Sequence, residues 1–154
     1  MATDTPIDNA IQGDAIRVAT FYLHDSLCGI DIVNVQEINE DLSFTKVPLA
    51  ADYVQGIMNL RGQIVTVIDQ SLKIGLPAAR ITKDSRVVIV KSQGESIGLL
   101  VDRIMDVVTT DLEKITPPPA NIHGAEGVFF KGVIQTDRNE LLALLDVEAI
   151  LREM

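Results

Sequence analysis

Few side chains in this 154-residue sequence could act on a substrate, and they stand apart from one another. The two histidines, His24 and His123, each lack the second ligand that an H-x-x-x-H or C-x-x-C spacing supplies, so neither reads as half of a metal site. The single cysteine, Cys28, precedes Gly29 in an apolar run, where cysteine is ordinarily a small buried hydrophobe. Thiolate chemistry would need a histidine folded beside it, and no spacing here provides one. There is no G-x-S-x-G elbow and no glycine-rich phosphate loop. Asp69 and Asp146 each close an apolar run, a placement that would suit paired carboxylates in acid–base chemistry. Each also heads a short helical segment, Ser71–Gly75 and Val147–Glu153, and an aspartate there caps the free amides of a helix start. Capping accounts for both at once. An enzyme built on Asp69, His123 or Cys28 has no constellation behind it. Arg61 remains, in Asn59-Leu60-Arg61-Gly62. A tip arginine beside glycine is either simply solvated or an interface anchor whose planar fork bonds carboxylates and carbonyls. Composition alone leaves those two readings even.

The element that positions Arg61 spans Tyr53 to Asp69. Two β-branched arms flank the tip, and Gly62 can take the positive φ of a tight three- or four-residue loop, which predicts a hairpin. Its second arm, Ile64–Ile68, is almost wholly apolar and is expected to be covered on both faces. Upstream, Ile16–Leu23 and Leu27–Ile32 read as strands around the turn His24-Asp25-Ser26. Val33–Ile38 either continues them or makes one helical turn, and Thr45–Pro48 reads as an edge segment. Ala78–Ser85 is a polar loop.

The second half repeats the first. Arg17-Val18 and Gly29 recur as Arg86-Val87 and Gly98, both at an offset of 98 − 29 = 69, and this puts Glu37 on Asp106. Gly56-Ile57-Met58 recurs as Gly132-Val133-Ile134, and Ile64–Asp69 as Leu141–Asp146. Most of the extra length of the second copy falls in Ile115–Gly127, where Pro117-Pro118-Pro119 favours extended backbone. Short strands without long crossover helices argue for two small β lobes rather than a βαβ sheet.

Composition sets the remaining bounds. A net charge of −9 and a pI near 4.5, with no block of Lys and Arg, argue against nucleic acid or an anionic membrane as partner. One cysteine leaves no intramolecular disulfide, Met1–Gly13 lacks the apolar stretch of a signal peptide, and no apolar run is long enough to span a bilayer. A cytoplasmic protein is the expectation.

The run G-I-M-N-L-R-G-Q-I-V-T-V-I-D (Gly56–Asp69) resembles the central signature of the CheW family of bacterial chemotaxis adaptors. Similarity extends to G-I-D-I-V-N-V-Q-E-I (Gly29–Ile38), I-G-L-L-V-D-R-I-M-D-V (Ile97–Val107) and I-T-P-P-P (Ile115–Pro119), covering nearly everything from Ile16 onward. The resemblance implies a mostly β fold: two SH3-like five-stranded β-barrel lobes with short helices, one of them C-terminal. The expected layout is a disordered tail over 1–14 and a CheW-like domain over 15–154. Within that domain, lobe one covers about 15–77, lobe two about 85–146, and the last helix about 147–153.

No catalysis and no cofactor are implied. The partners implied are the cytoplasmic tip of methyl-accepting chemoreceptors and the regulatory domain of the histidine kinase CheA, with ring-like assembly among CheW-like proteins. Such an adaptor is cytoplasmic and recruited to receptor arrays at the inner face of the membrane. A CheW-like adaptor of a non-flagellar chemosensory pathway, for twitching or gene regulation, is the alternative. Receptor contact in the family is associated with the groove between lobes, and its positions fall on Val35, Gly56 and Arg61; Glu37, Asn59 and Leu60 join them by adjacency. For the kinase, the resemblance points to Met105, Val107, Thr116 and Asn121. The sequence departs from the family pattern at Cys28, often aromatic, at Ser71, often basic, and at Thr116 and Asn121, where some members carry a basic and an aromatic residue.

Overall fold

The structure, a computed structural model, describes residues 14–152. The expected tail, apart from Asp14, and Glu153 of the expected last helix lie outside the described residues. β1 (Ala15–Leu23) and β2 (Ser26–Asp31) form the first hairpin, and one 3₁₀ turn at Ile32–Asn34 leads into β3 (Val35–Asn39). Both readings of that stretch therefore hold in part: a helical turn, then a strand. β4 (Val54–Leu60) and β5 (Gln63–Asp69) form the hairpin that carries Arg61, and α1 (Gln70–Lys73) follows. The second half runs β6 (Arg86–Ser92), β7 (Glu95–Val101), β8 (Arg103–Asp111), the two-residue strands β9 (Asn121–Ile122) and β10 (Ala125–Glu126), β11 (Phe130–Gln135), β12 (Leu141–Leu145) and α2 (Val147–Leu151).

Two five-stranded sheets result, in the orders β3-β6-β7-β5-β4 and β11-β12-β2-β1-β8. The edge strands of each are not paired with each other, so the lobes are open SH3-like sheets rather than the closed barrels expected. Thr45 bridges to Ile57 and Thr116 to Val133, a matching isolated bridge in each lobe. In the first sheet β5 runs parallel to β7, pairing Thr66 with Ile97 and Val67 with Gly98. In the second, β12 runs parallel to β2 with Ala143 on Cys28 and Leu144 on Gly29. These pairs map onto one another through the repeat (97 − 28 = 69; 143 − 66 = 77).

This pairing corrects the expected division of the chain. The first sheet is β3 to β7, a contiguous stretch from 35 to 101, so the boundary placed at Ala78–Ser85 falls inside it. The second sheet joins β1 and β2 to β8, β11 and β12. Each repeat lends its opening hairpin to the sheet that the other repeat completes.

The largest core lies between the sheets. Phe21, Leu23 and Ile30 meet Ile68, Val88, Val90 and Leu99 there, with Ile74 and Ile150 from the helical ends. A smaller cluster of Met58, Val65, Val67, Val87, Ile89 and Leu100 fills the first lobe, and Val18, Ile134, Leu142 and Leu144 fill the second. β6 thus sends alternate residues into two cores, which explains a strand with no polar face. β5 does so only at its end, with Val65 and Val67 in the first lobe's core and Ile68 in the core between the sheets, while Thr66 is half-buried and Ile64, expected to be covered, is 64% exposed.

Candidate functional site

Arg61 and Gly62 are the two central residues of the β4–β5 turn, with φ of 52° and 87°. The loop is therefore two residues long, shorter than expected, and both residues are left-handed, as a type I′ hairpin turn requires. Asn-Gly is the usual occupant. An L-residue without a short polar side chain pays on the order of 1 kcal/mol to sit there. The Asn59 side chain secures the turn, its Oδ1 accepting from the Gly62 amide at 2.9 Å.

The Arg61 guanidinium reaches Glu37 of β3, donating from Nη1 to Oε1 at 3.3 Å and from Nη2 to Oε2. β3 and β4 are opposite edges of one sheet, so this bidentate pair spans the seam where the curled sheet comes round on itself. The hydrogen bond from Arg61 holds the Glu37 carboxyl below the usual carboxylate range, and Glu37 in turn raises Arg61 further. Exposed ion pairs contribute little to stability, and the Arg61 side chain is 67% exposed. A strained backbone at an exposed arginine is thus unexplained by folding. Ile38 and Ile64, 45% and 64% exposed, are also on this sheet, and Ile64 and Asn59 line a shallow groove of about 330 Å³ with Asp41, Ser43 and Thr45.

Of the six residues expected to meet a receptor, three reach the surface: Glu37, Asn59 and Arg61. Val35 is half-buried against the core between the sheets, and Leu60 is buried in the first lobe's own core. Gly56 is buried under the segment 44–45: a Cβ there would lie 2.6 Å from the Thr45 carbonyl oxygen, and its φ is 153°. Its repeat mate Gly132 meets the Thr116 carbonyl in the same way, at 2.4 Å. Gly56→Ala is accordingly expected to act through folding, lowering stability by about 1–3 kcal/mol. Thermal unfolding would register this as a drop of several degrees.

Of the residues expected to meet the kinase, Met105 and Val107 stand 37% and 49% exposed on β8, an edge of the second sheet. Thr116 and Asn121 lie on a different segment. Thr116 exchanges backbone hydrogen bonds with Val133, and Asn121 Oδ1 accepts from the Gly124 amide at 3.0 Å, closing the β9–β10 turn.

Three of the side chains weighed for chemistry, Asp69, Asp146 and His24, have hydrogen-bond partners within the fold. Asp69 Oδ1 accepts from the Leu72 amide and Oδ2 from the Ala79 amide, while Asp146 Oδ1 accepts from the Ala149 amide, so both cap helix starts. His24 Nε2 lies 2.8 Å from the Pro77 carbonyl oxygen and joins the first hairpin to the end of the α1 segment. Cys28 is buried, and burial, with the Asp102 charge adding to it, pushes its thiol up to about 12. Alkylation of the native protein near neutral pH is therefore expected to be at least about a hundredfold slower than in denaturant. Because the folded value lies above the unfolded one, the stability gained by keeping this thiol neutral is complete below about pH 8.5. It is lost as pH rises towards about 12. Comparing wild type with Cys28→Ala across that range isolates the effect.

Among the described residues no group of three or more His, Cys, Asp and Glu side chains could hold a metal ion, and no helix is long and apolar enough to cross a membrane. Residues 17–154 match the family model described as CheW-like domain. The chain is 30% identical over 140 residues to chemotaxis protein CheW of Helicobacter pylori, covering 91% of this chain and 84% of that one. It is 30% identical over 142 residues to a probable chemotaxis protein CheW of Rhizobium etli, covering 92% and 90%. The crystal structure of the scaffolding protein TtCheW from Thermoanaerobacter tengcongensis superposes with a TM-score of 0.81 at 33% identity, covering 89% of this chain and 88% of that one.

Proposed function

The chain belongs to the CheW-like family of non-enzymatic chemotaxis scaffolds, and we propose that it couples the cytoplasmic tip of chemoreceptors to the regulatory domain of the histidine kinase CheA. The observation that carries the receptor half is the strained Arg61 turn. An arginine is held left-handed at a hairpin tip, paired across the sheet seam with Glu37, where stability would favour asparagine. Such a guanidinium can exchange its exposed intramolecular partner for a carboxylate or carbonyl on a receptor helix. Asn59, Ile38 and Ile64 extend that surface. Val35, Gly56 and Leu60 belong to the site as its support, fixing where the tip stands rather than touching the partner.

The kinase is assigned to the other sheet, through Met105 and Val107 on β8, with Thr116 and Asn121 on the following segment. Separate faces allow both partners to be held at once. A receptor displacement then biases the kinase equilibrium through one rigid body, and a coupling of about 1–3 kcal/mol is enough. The setting proposed is the cytoplasm, at receptor arrays on the inner face of the membrane, with contacts to other CheW-like lobes building rings. Calorimetry with the isolated CheA regulatory domain tests the separation of faces: Arg61→Glu is expected to bind it with unchanged affinity. A clear loss of affinity would contradict the assignment.

A further inference from the structure

The second lobe carries its own version of the Arg61–Glu37 pair, left open. The offset of 69 places Asp106 of β8 where the first lobe has Glu37 of β3, and the β11–β12 turn carries Arg138 at its tip. That turn is one residue longer. Thr136 donates its amide to the Glu140 carbonyl at 2.8 Å, and only Asn139 of the loop 137–139 has positive φ, at 63°. This is the form of a three-residue hairpin loop, and it aims the arginine differently from a two-residue turn. Asp106 is also one methylene shorter than Glu37. Among the described residues no ion pair joins Asp106 to Arg138. Both line a groove of about 350 Å³ together with Leu27, Met105 and Val107.

The walls of this groove are held in place. The Tyr22 hydroxyl donates to Glu140 Oε2 at 2.6 Å, and the Arg103 guanidinium lies 4.8 Å from the centre of the Tyr22 ring. The Thr20 hydroxyl donates to the Asp106 carbonyl, fixing β8 beside the irregularity in its pairing with β1. Among the described residues β8 pairs with β1 alone and has an unpaired outer edge, and alternate amides and carbonyls of such a strand point away from its partner.

We infer that this groove receives an extended segment of a partner protein, added as a strand along β8, with apolar side chains against Met105 and Val107 and a basic side chain on Asp106. Charge selects the occupant. Asp106, Asp137 and Glu140 outnumber Arg138 in the lining, which favours a basic segment. A second copy of this chain is a poor fit, since each copy carries −9 and its matching edge strand β3 presents Glu37. The inference rests on the proposed kinase-facing role of β8 and adds the chemistry of the segment that docks there.

The test titrates isotope-labelled full-length protein with a short peptide of alternating valine and lysine, and separately with one of alternating valine and glutamate. The lysine peptide is expected to shift the amide signals of Met105–Thr109 and Thr136–Glu140, and the glutamate peptide to leave them in place. Asp106→Lys should weaken lysine-peptide binding by about tenfold or more. Equal binding of both peptides, or shifts scattered over the acidic surface and unchanged by Asp106→Lys, would overturn the inference. CheA binding to Met105→Asp is read alongside. Weakened CheA binding with no peptide effect at Asp106 removes the strand inference and keeps the kinase assignment. A mapped peptide with normal CheA binding does the reverse.

Discussion

Arg61→Asn is expected to weaken binding of a receptor cytoplasmic tip by about tenfold or more while leaving the protein as stable as wild type, or a few degrees more so. The two halves of that result come from different atoms. At φ 52° beside Gly62, position 61 belongs to a type I′ turn, for which Asn-Gly is the preferred pair, so asparagine relieves backbone strain. The guanidinium is what disappears, and with it the fork now engaged by Glu37. The exposed ion pair takes little stability with it. Arg61→Glu should lose receptor binding at least as severely, since it sets two carboxylates across the seam. Loss of binding together with unfolding would instead mark Arg61 as a structural residue.

The second large effect concerns the shared core. Excised residues 35–101 contain every strand of the first sheet, yet they are expected to show no cooperative thermal transition and to bind a hydrophobic dye. Ile68, Val88, Val90, Leu99 and Val101 pack into the cluster between the sheets, and the excision removes the other side of it. At about 1.5–3 kcal/mol for each buried aliphatic side chain, these five account for roughly 7–15 kcal/mol. That matches the whole stability of a typical domain, about 5–15 kcal/mol. A sharp transition near that of the intact chain would show the lobes to be independent.

The strands and the repeat were legible because both rest on local signals. β-branched runs mark the arms, and Gly29 and Gly98 recur because a Cβ at either would strike Val18 or Val87, 2.4 and 2.7 Å away. The exchange of hairpins between sheets was not legible. Hydrophobic pattern reports which face is buried, not which strand lies alongside, and β6 and β7 would look the same beside either partner. Arg61 could be read as a tip from Gly62. Its pairing with Glu37 could not, because that contact joins residues 24 apart across a seam that exists only once the sheet curls. Leu60 shows the cost of adjacency: it precedes the exposed Arg61 and points into the core. The longer second tip was visible in the offsets, 132 − 56 = 76 before it and 141 − 64 = 77 after it, although the open groove it leaves was not.

On the function proposed above, one face of this chain holds a receptor while another holds the kinase. The direct measurement immobilises the CheA regulatory domain and asks whether a receptor cytoplasmic tip is retained when the chain is added. Retention is expected with wild type. With Arg61→Glu the chain itself should still be captured and the tip should wash through. Equal retention of the tip with Arg61→Glu, or capture of the chain by only one partner at a time, would contradict it.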